Sequence, residues 1–424
     1  MRRAPRGTRD ILLQEAARWQ FLEKIFREMC FTYNFAEIHT PIFEEAELFT
    51  RSVGEESDVV KKEMYIFRDR GDRELALRPE GTAGVTRAYL EHGLHRRAQP
   101  VKLYYFGPMF RYDRPQAGRQ RQFYQMGIEI FGSGDPATDV EIIKFTSDFF
   151  ARLGLLDLNL QINSVGCPRC RPFYLEQLRN FVRDKTALLC RDCRQRARVN
   201  PLRLLDCKNG DCRAALKDSP QMEAYLCPAC REHFTAVLRL LKVLDVPFEV
   251  DPFLVRGLDY YTNTAFEFVS ASLGTQGSLG GGGRYDQLVE SCGGPPVPGV
   301  GMAAGVERIA LAMEKKNLWP NEDVPSGIFL AVTGSDNEGR EEGLALLYQL
   351  RAQGLKVEID YLNRSLKAQM KYAHRHGFRY VIIWGEEERL SKRVKLRDLQ
   401  AGEQREVSLQ ELGHLLSEQK GWIK

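Results

Sequence analysis

Apolar positions along this chain recur with two periods, and each period predicts a different kind of element. Over residues 14–31, Trp19, Leu22, Ile25, Phe26 and Met29 fall at helical spacing and predict an amphipathic helix facing a core. Residues 35–48 read as extended; Pro41 within them cannot donate to a ladder, which places the segment at an edge or an interface. Residues 63–77 read as a hairpin whose polar turn contains Gly71. Residues 103–106 and 123–131 read as paired strands. Along the second, Gln125, Gly127 and Glu129 share one face and Tyr124, Met126 and Ile128 the other. A face holding Gln and Glu in so apolar a sheet reads as the floor of a polar pocket. Residues 139–153 predict a helix, and residues 262–269, rich in Thr, Phe and Val, a strand.

Past a polar linker at 315–326, marked by Pro320 and Pro325, the pattern changes. Strands at 328–332, 356–359 and 380–384 alternate with helices at 338–353 and 365–376, as in a parallel sheet of βαβ units. This predicts a separate C-terminal α/β domain, 326–424. Its basic residues Arg364, Lys367, Lys371, Arg375, Lys392, Arg393 and Lys395 suit RNA and a solvated surface equally well.

A length of 424 residues exceeds one ordinary core and predicts two or three domains. With 28% charged residues and no apolar run near the roughly 20 residues that cross a bilayer, a membrane span is not expected. The first ten residues carry charge with no hydrophobic segment behind them, so the expected location is the cytoplasm. A formal net charge of +4 permits a nucleic-acid partner through local patches without demanding one.

Eight of the ten cysteines crowd into residues 167–230, as the pairs Cys167/Cys170, Cys190/Cys193, Cys207/Cys212 and Cys227/Cys230. Such spacing suits two all-cysteine structural zinc sites, in any of three combinations, or else reduced cysteines in a helical insert. Arg191, Arg194, Arg196, Arg198 and Arg203 make this segment basic and suit contact with a phosphate backbone.

The candidate chemistry gathers elsewhere. Arg256, Asp259, Tyr260 and Tyr261 sit at the mouth of the 262–269 strand, an expensive place for polar groups unless something binds there. Gly280 to Gly283 removes four side chains in a row and lets a ligand or another backbone come close. Arg111 opens a basic loop with Arg114, Arg119 and Arg121, whose guanidinium forks suit phosphate. Glu80 and Thr82 stand at a strand-to-helix junction, where they either cap the helix or aim into a pocket.

Arg256-Gly-Leu-Asp-Tyr-Tyr-Thr262, followed by Gly280-Gly-Gly-Gly-Arg-Tyr-Asp286, resembles the two signature peptides of the histidyl-tRNA synthetases. Residues 37–44, 102–131 and 298–311 are similar to the three class II synthetase motifs, and the likeness runs over nearly the whole chain. Asn263 departs from it, standing where glycine is expected. The resemblance implies an α+β catalytic domain with a mixed, mainly antiparallel sheet at 1–165 and 231–320. It also implies a cysteine-rich, mostly helical insertion at 166–230 and an anticodon-binding-like α/β domain at 326–424. It implies ATP-dependent ligation of L-histidine to its tRNA through a histidyl-adenylate, with Mg2+ accompanying ATP, in a homodimer built on the first motif. Carried over residue by residue, Arg256 and Arg111 are catalytic. Glu80, Gly81, Thr82, Arg111, Gln125, Glu129, Arg256, Tyr260 and Tyr261 surround histidine, and Arg111, Arg119 and Arg308 take ATP. Glu129 with Tyr260 or Tyr261 is expected to face the imidazole.

Two other readings are open. A synthetase-like regulatory subunit of ATP phosphoribosyltransferase is expected to lose the signature arginines and the C-terminal domain, and this chain keeps both. A zinc-dependent RNA-binding protein fits the cysteines and basic loops but leaves Glu80, Gln125 and Glu129 without a role.

Overall fold

The computed structural model describes residues 2–54, 57–320, 327–334 and 337–412. Its contacts divide the chain into two units, Met1–Trp319 and Pro320–Lys424.

The first unit contains, in chain order, β1 (Ala36–Glu37), β2 (Phe43–Glu45), β3 (Tyr65–Arg68), β4 (Glu74–Leu77), β5 (Val101–Phe110), β6 (Gln122–Phe131), β7 (Leu158–Ser164), β8 (Glu249–Val250), β9 (Thr262–Ser270), β10 (Ser278–Arg284) and β11 (Gly299–Gly305). β2, β4 and β3 form a small antiparallel sheet. The others form one eight-stranded sheet in the order β1-β5-β6-β11-β10-β9-β7-β8. Only its two ends, β1–β5 and β7–β8, pair in parallel, so the sheet is mixed and mainly antiparallel. The extended segment expected to reach Leu48 stops at Glu45. Helix Ala46–Val53 follows, because Phe49 and Val53, four residues apart, bury one helical face. Pro41 lies between β1 and β2, outside either ladder.

The period of two in β6 decides which side of the sheet does what. Met126, Ile128 and Ile130 are fully buried, in one core with residues of the helices Leu13–Thr32, Pro136–Arg152, Pro228–Val243 and Val306–Lys315. Phe26 anchors that core, edge-on to Tyr104, Phe145 and Phe149 at ring separations of 5.8, 5.9 and 5.7 Å. Burying one such ring stabilises by about 1.5–3 kcal/mol. The opposite face of β6 is left to Gln125, Gly127 and Glu129.

Helices Arg171–Arg183, Arg191–Val199 and Gly210–Leu216 make the insert helical, as expected.

In the second unit the strands are β12 (Ile328–Val332), β13 (Val357–Ile359), β14 (Tyr380–Trp384), β15 (Arg393–Asp398) and β16 (Gln404–Ser408), in the order β13-β12-β14-β15-β16. The first three are parallel, as the βαβ pattern predicts. β15 and β16 add an antiparallel hairpin that the pattern did not show. Its charges hid it: Val394 and Leu396 bury one face while Arg393, Lys395 and Arg397 alternate on the other. Lys395 is held by Glu387 and Glu388 at 2.6 and 2.9 Å, and Arg364 by Asp360, so part of the basic set serves the domain itself. Part of the linker at 315–326 and the last twelve residues of the expected C-terminal domain lie outside the described residues.

Candidate active site

A cavity of about 420 Å³ opens on the polar face of the large sheet, where β6, β10 and β11 meet the loop 256–261. Glu80, Thr82, Arg111, Arg119, Gln125, Arg256, Tyr260, Tyr261 and Arg308 all line it, although they come from five separate stretches of chain. Gly81 and Glu129 stand one layer behind the wall. A Cβ at Gly81 would lie 2.3 Å from the Tyr105 ring, so only glycine lets the chain pass there.

The floor is a closed network of acids and hydroxyls. Glu80 accepts from the backbone N–H groups of Thr82 and Ala83, at 2.7 and 2.8 Å. It therefore caps helix Thr82–Glu91 and faces the cavity at once, and the two readings of this junction both hold. The Thr82 hydroxyl donates to Glu129 Oε1 at 2.8 Å, and the Tyr285 hydroxyl donates to Glu129 Oε2. Burial pushes the Glu129 carboxyl up to about 8, against the pull of these two hydroxyls, and burial also raises Glu80. A Cβ at Gly301 of β11 would fall 1.7 Å from Glu129 Oε2, so the carboxylate has room only because that residue is glycine. Tyr285 lies within the second signature, and the resemblance assigns it no role. The sequence carried a signal for it, a tyrosine directly after Gly280 to Gly283 and Arg284, but not the fold that turns it onto Glu129.

The other wall is cationic. Arg256 pairs with Glu267 at 2.6 Å and lies flat against β10, where a Cβ on Gly281 would sit 2.8 Å from its Nη1. Arg308 donates to the Ser278 carbonyl at 2.8 Å. Arg111 donates to the Pro79 carbonyl at 2.8 Å and stacks over Phe123, and Arg119 pairs with Asp113 at 3.1 Å. Burial, and then the nearby Arg119 and Arg111, bring the Arg308 guanidinium down to about 10. Several cations gathered in a half-enclosed cavity leave positive potential for a polyanion to neutralise. Gln125 Oε1 and Arg256 Nε are buried without a hydrogen-bond partner, as expected of groups that a polar ligand would satisfy.

Asn263, the departure from the signature, adopts φ 47°, the left-handed conformation for which glycine was expected and which asparagine tolerates best among other residues. Its amide donates to Asp286 at 3.1 Å and ties the first signature to the second.

The insert departs from expectation in one respect. Arg203 is buried against Gly257 and Asp259, and Arg196 pairs with Asp58, so these two do not form an outward phosphate surface. The cysteine combination is resolved by the fold: Cys167, Cys170, Cys227 and Cys230 form one cluster, and Cys190, Cys193, Cys207 and Cys212 the other.

Residues 7–309 match the family model described as histidyl-tRNA synthetase, and residues 328–419 match the anticodon binding domain model. The histidine–tRNA ligase of Natranaerobius thermophilus is 51% identical, covering 99% of both chains. That of Desulforamulus reducens is 53% identical over 96% of this chain and 97% of its own. The apo Staphylococcus aureus histidyl-tRNA synthetase superposes with a TM-score of 0.83 at 36% identity, covering 98% of this chain and 99% of that one. Full-length likeness to ligases sets aside the regulatory-subunit reading. The activity is ATP-dependent ligation of L-histidine to its tRNA through a histidyl-adenylate, releasing AMP and diphosphate. With its catalytic and anticodon-binding parts both matched, the chain belongs to the histidyl-tRNA synthetase family.

Proposed function

We propose that the cavity of the large sheet binds histidine at its acidic floor and ATP along its arginine wall, so that the two react where Arg256 stands between them. The observation that carries this division is electrostatic: buried carboxyls on one side, and on the other four guanidiniums, Arg111, Arg119, Arg256 and Arg308, gathered on one wall, where burial and then its neighbours lower Arg308. Glu80, Thr82 and Gln125 would take the α-ammonium group. Glu129, acting with Tyr285 and backed by Tyr260 and Tyr261, would define the imidazole end. A pocket that must satisfy buried polar groups rejects apolar analogues strongly. Arg308, Arg111 and Arg119 would hold the phosphates, with Mg2+ arriving as part of the nucleotide. Arg256 would stabilise charge on the α-phosphate as the carboxylate attacks. Such transfer rests on positioning and charge neutralisation, and none of these residues needs to act as a nucleophile.

Each cysteine cluster fits one structural zinc. In the first, neighbouring sulfurs lie 3.4 to 3.9 Å apart. The edge of a tetrahedron with Zn–S bonds of roughly 2.3 Å is about 3.8 Å. The small sheet supports a homodimer, since Ile42, Phe43, Ile66 and Phe67 expose 44, 53, 50 and 41% of their surface on it or beside it. No described helix is long and apolar enough to cross a membrane, which is compatible with the expected cytoplasmic location.

The deciding experiment is histidine-dependent ATP–pyrophosphate exchange. Exchange should require histidine, and Glu129→Ala should weaken histidine far more than ATP. Equal loss of both would overturn the division of the cavity, and no exchange would overturn the site altogether.

A further inference from the structure

The loop 254–261 supplies Arg256, Tyr260 and Tyr261 to the cavity, yet it lies outside every helix and strand. The Asp259 N–H bonds to the Val53 carbonyl at 3.1 Å and Arg256 pairs with Glu267, but the insert supplies further holds on it. Arg203 Nη2 donates to the Gly257 carbonyl at 2.6 Å and pairs with Asp259 at 3.2 Å. The Asn200 amide donates to the same Asp259 carboxylate at 3.0 Å. On the other flank Arg171 donates to the Tyr261 carbonyl, and also to Val165 and Gly166 at 3.1 Å each. The loop is thus gripped at the Gly257 and Tyr261 carbonyls and at the Asp259 carboxylate by side chains of the insert.

Each grip is rooted in a cysteine cluster. Arg171 directly follows Cys170. Asn200 and Arg203 lie between Cys193 and Cys207, and the Cys207 N–H bonds back to the Leu204 carbonyl at 3.1 Å. The lobe carrying Asn200 and Arg203 has short helices and a small core. Helix Arg191–Val199 has nine residues and Gly210–Leu216 seven, well below the ~12–15 at which an isolated helix becomes even marginal in water. Cys193, Cys207 and Cys212 themselves make up much of the second lobe's core, beside Val182, Leu189, Leu204 and Leu216. Backbone N–H groups already point at sulfur: Cys190 N–H to Cys212 Sγ at 3.1 Å, and Cys167 N–H to Cys170 Sγ at 3.2 Å. Such bonds orient thiolate ligands around a cation. A small lobe in which cysteines make up so much of the core gains firmness when a cation crosslinks them.

We infer that the two cysteine clusters are metal sites that position the histidine-binding loop, transmitting their occupancy through Arg171 and Arg203. The inference rests on the functional reading above and adds that the insert controls amino acid activation, not only contact with tRNA. A thiophilic divalent cation, zinc, fits both sites. Arg203 also reaches the cavity wall, but the hydrogen bonds it makes go to the loop, so its proposed part is to position that loop.

The test uses the full chain and the exchange reaction, which needs no tRNA, so that an effect of the insert cannot arise from lost tRNA contact. Freshly purified protein should carry two zinc per chain by elemental analysis. Cys207→Ser should lower this toward one. Removing zinc with a chelator should speed hydrogen exchange of the 254–261 amides, and adding zinc back should restore protection. Arg203→Gln should keep both metals and raise the histidine KM on the order of tenfold, the loss of a charge-assisted contact, with kcat much less affected; Arg203→Lys should recover part of this. Less than half a zinc per chain, or a chelated protein with unchanged loop protection and unchanged histidine KM, would overturn the inference. If untreated protein shows no exchange at all, it is the functional reading that fails. Zinc content and loop protection then still decide whether the clusters hold the loop.

Discussion

Tyr285 and Glu129 meet across 156 residues of chain, the phenol donating to a carboxylate that has no contact with solvent. Thr82 approaches the same carboxylate from a third part of the sequence. The acid is thus oriented by two hydroxyls from distant elements, and its free energy depends on both. Tyr285→Phe removes one donor and little volume. It should raise the histidine KM about tenfold and leave the ATP KM within a factor of about two, read by exchange kinetics. Comparable losses for both substrates would mean that Tyr285 supports the fold and not the amino acid end.

The acidic floor sets a pH dependence for the ligand-free chain. Burial brings Glu129 up to about 8 and Glu307 up to about 7, both above the ordinary value of 4.5. The folded chain therefore retains protons that the unfolded chain has released. This contribution is complete below about pH 4.5 and is lost as pH rises through 7 and 8. Melting temperature measured without ligands should fall across that window, after the contribution of other groups is set by a control. In Glu129→Gln, which cannot titrate, the fall should be shallower. An unchanged slope would place the Glu129 proton elsewhere.

Arg308 is held where burial, and then the neighbouring Arg119 and Arg111, make its charge unwelcome. Removing it should relieve the ligand-free protein while costing the bound state. Arg308→Gln should leave the melting temperature unchanged or slightly higher without ligand and raise the ATP KM by tenfold or more. The stabilisation that ATP confers on the wild-type chain should shrink in parallel, as a thermal-shift titration would show. A variant that melts much earlier without ATP would contradict the picture of mutual repulsion.

Behind the cavity, Arg284 and Asp139 form an ion pair with side-chain exposures of 1 and 0%. Arg284 leaves β10 and also reaches the Ser133 carbonyl and the Thr138 hydroxyl, at 3.0 and 2.9 Å, so it fastens the glycine strand to the start of helix Pro136–Arg152. Arg284→Met leaves the buried Asp139 carboxylate with the His233 ring at 3.3 Å in place of a full ion pair and should cost about 3–5 kcal/mol in denaturant unfolding. Adding Asp139→Leu removes the stranded charge and should recover much of that. Failure of the double variant to recover would show that the Ser133 and Thr138 contacts, not the ion pair, carry the stability.

Much of this protein could be read along the chain. The helix Leu13–Thr32, the strands β5 and β6, and the polar face of Gln125 and Glu129 follow from periods of 3.6 and 2. Arg111, Arg256 and Arg308 follow from motifs whose likeness to a family is itself a sequence property, and so does the expectation of glycine at 263, whereas the left-handed backbone that Asn263 adopts there came with the fold.

Tertiary structure decided what pairwise distance decides. Sequence spacing allowed three combinations of four cysteine pairs, because ligands close in space need not be close in the chain, and folding selected one. The hairpin β15–β16 was masked by its charges, since an edge of a sheet needs only one buried face. Tyr285 gained its role, and Arg203 lost its apparent one, for the same physical reason. A side chain's chemistry is written locally, but its partner is chosen by which distant backbone packs against it, and burial then sets the strength of the contact.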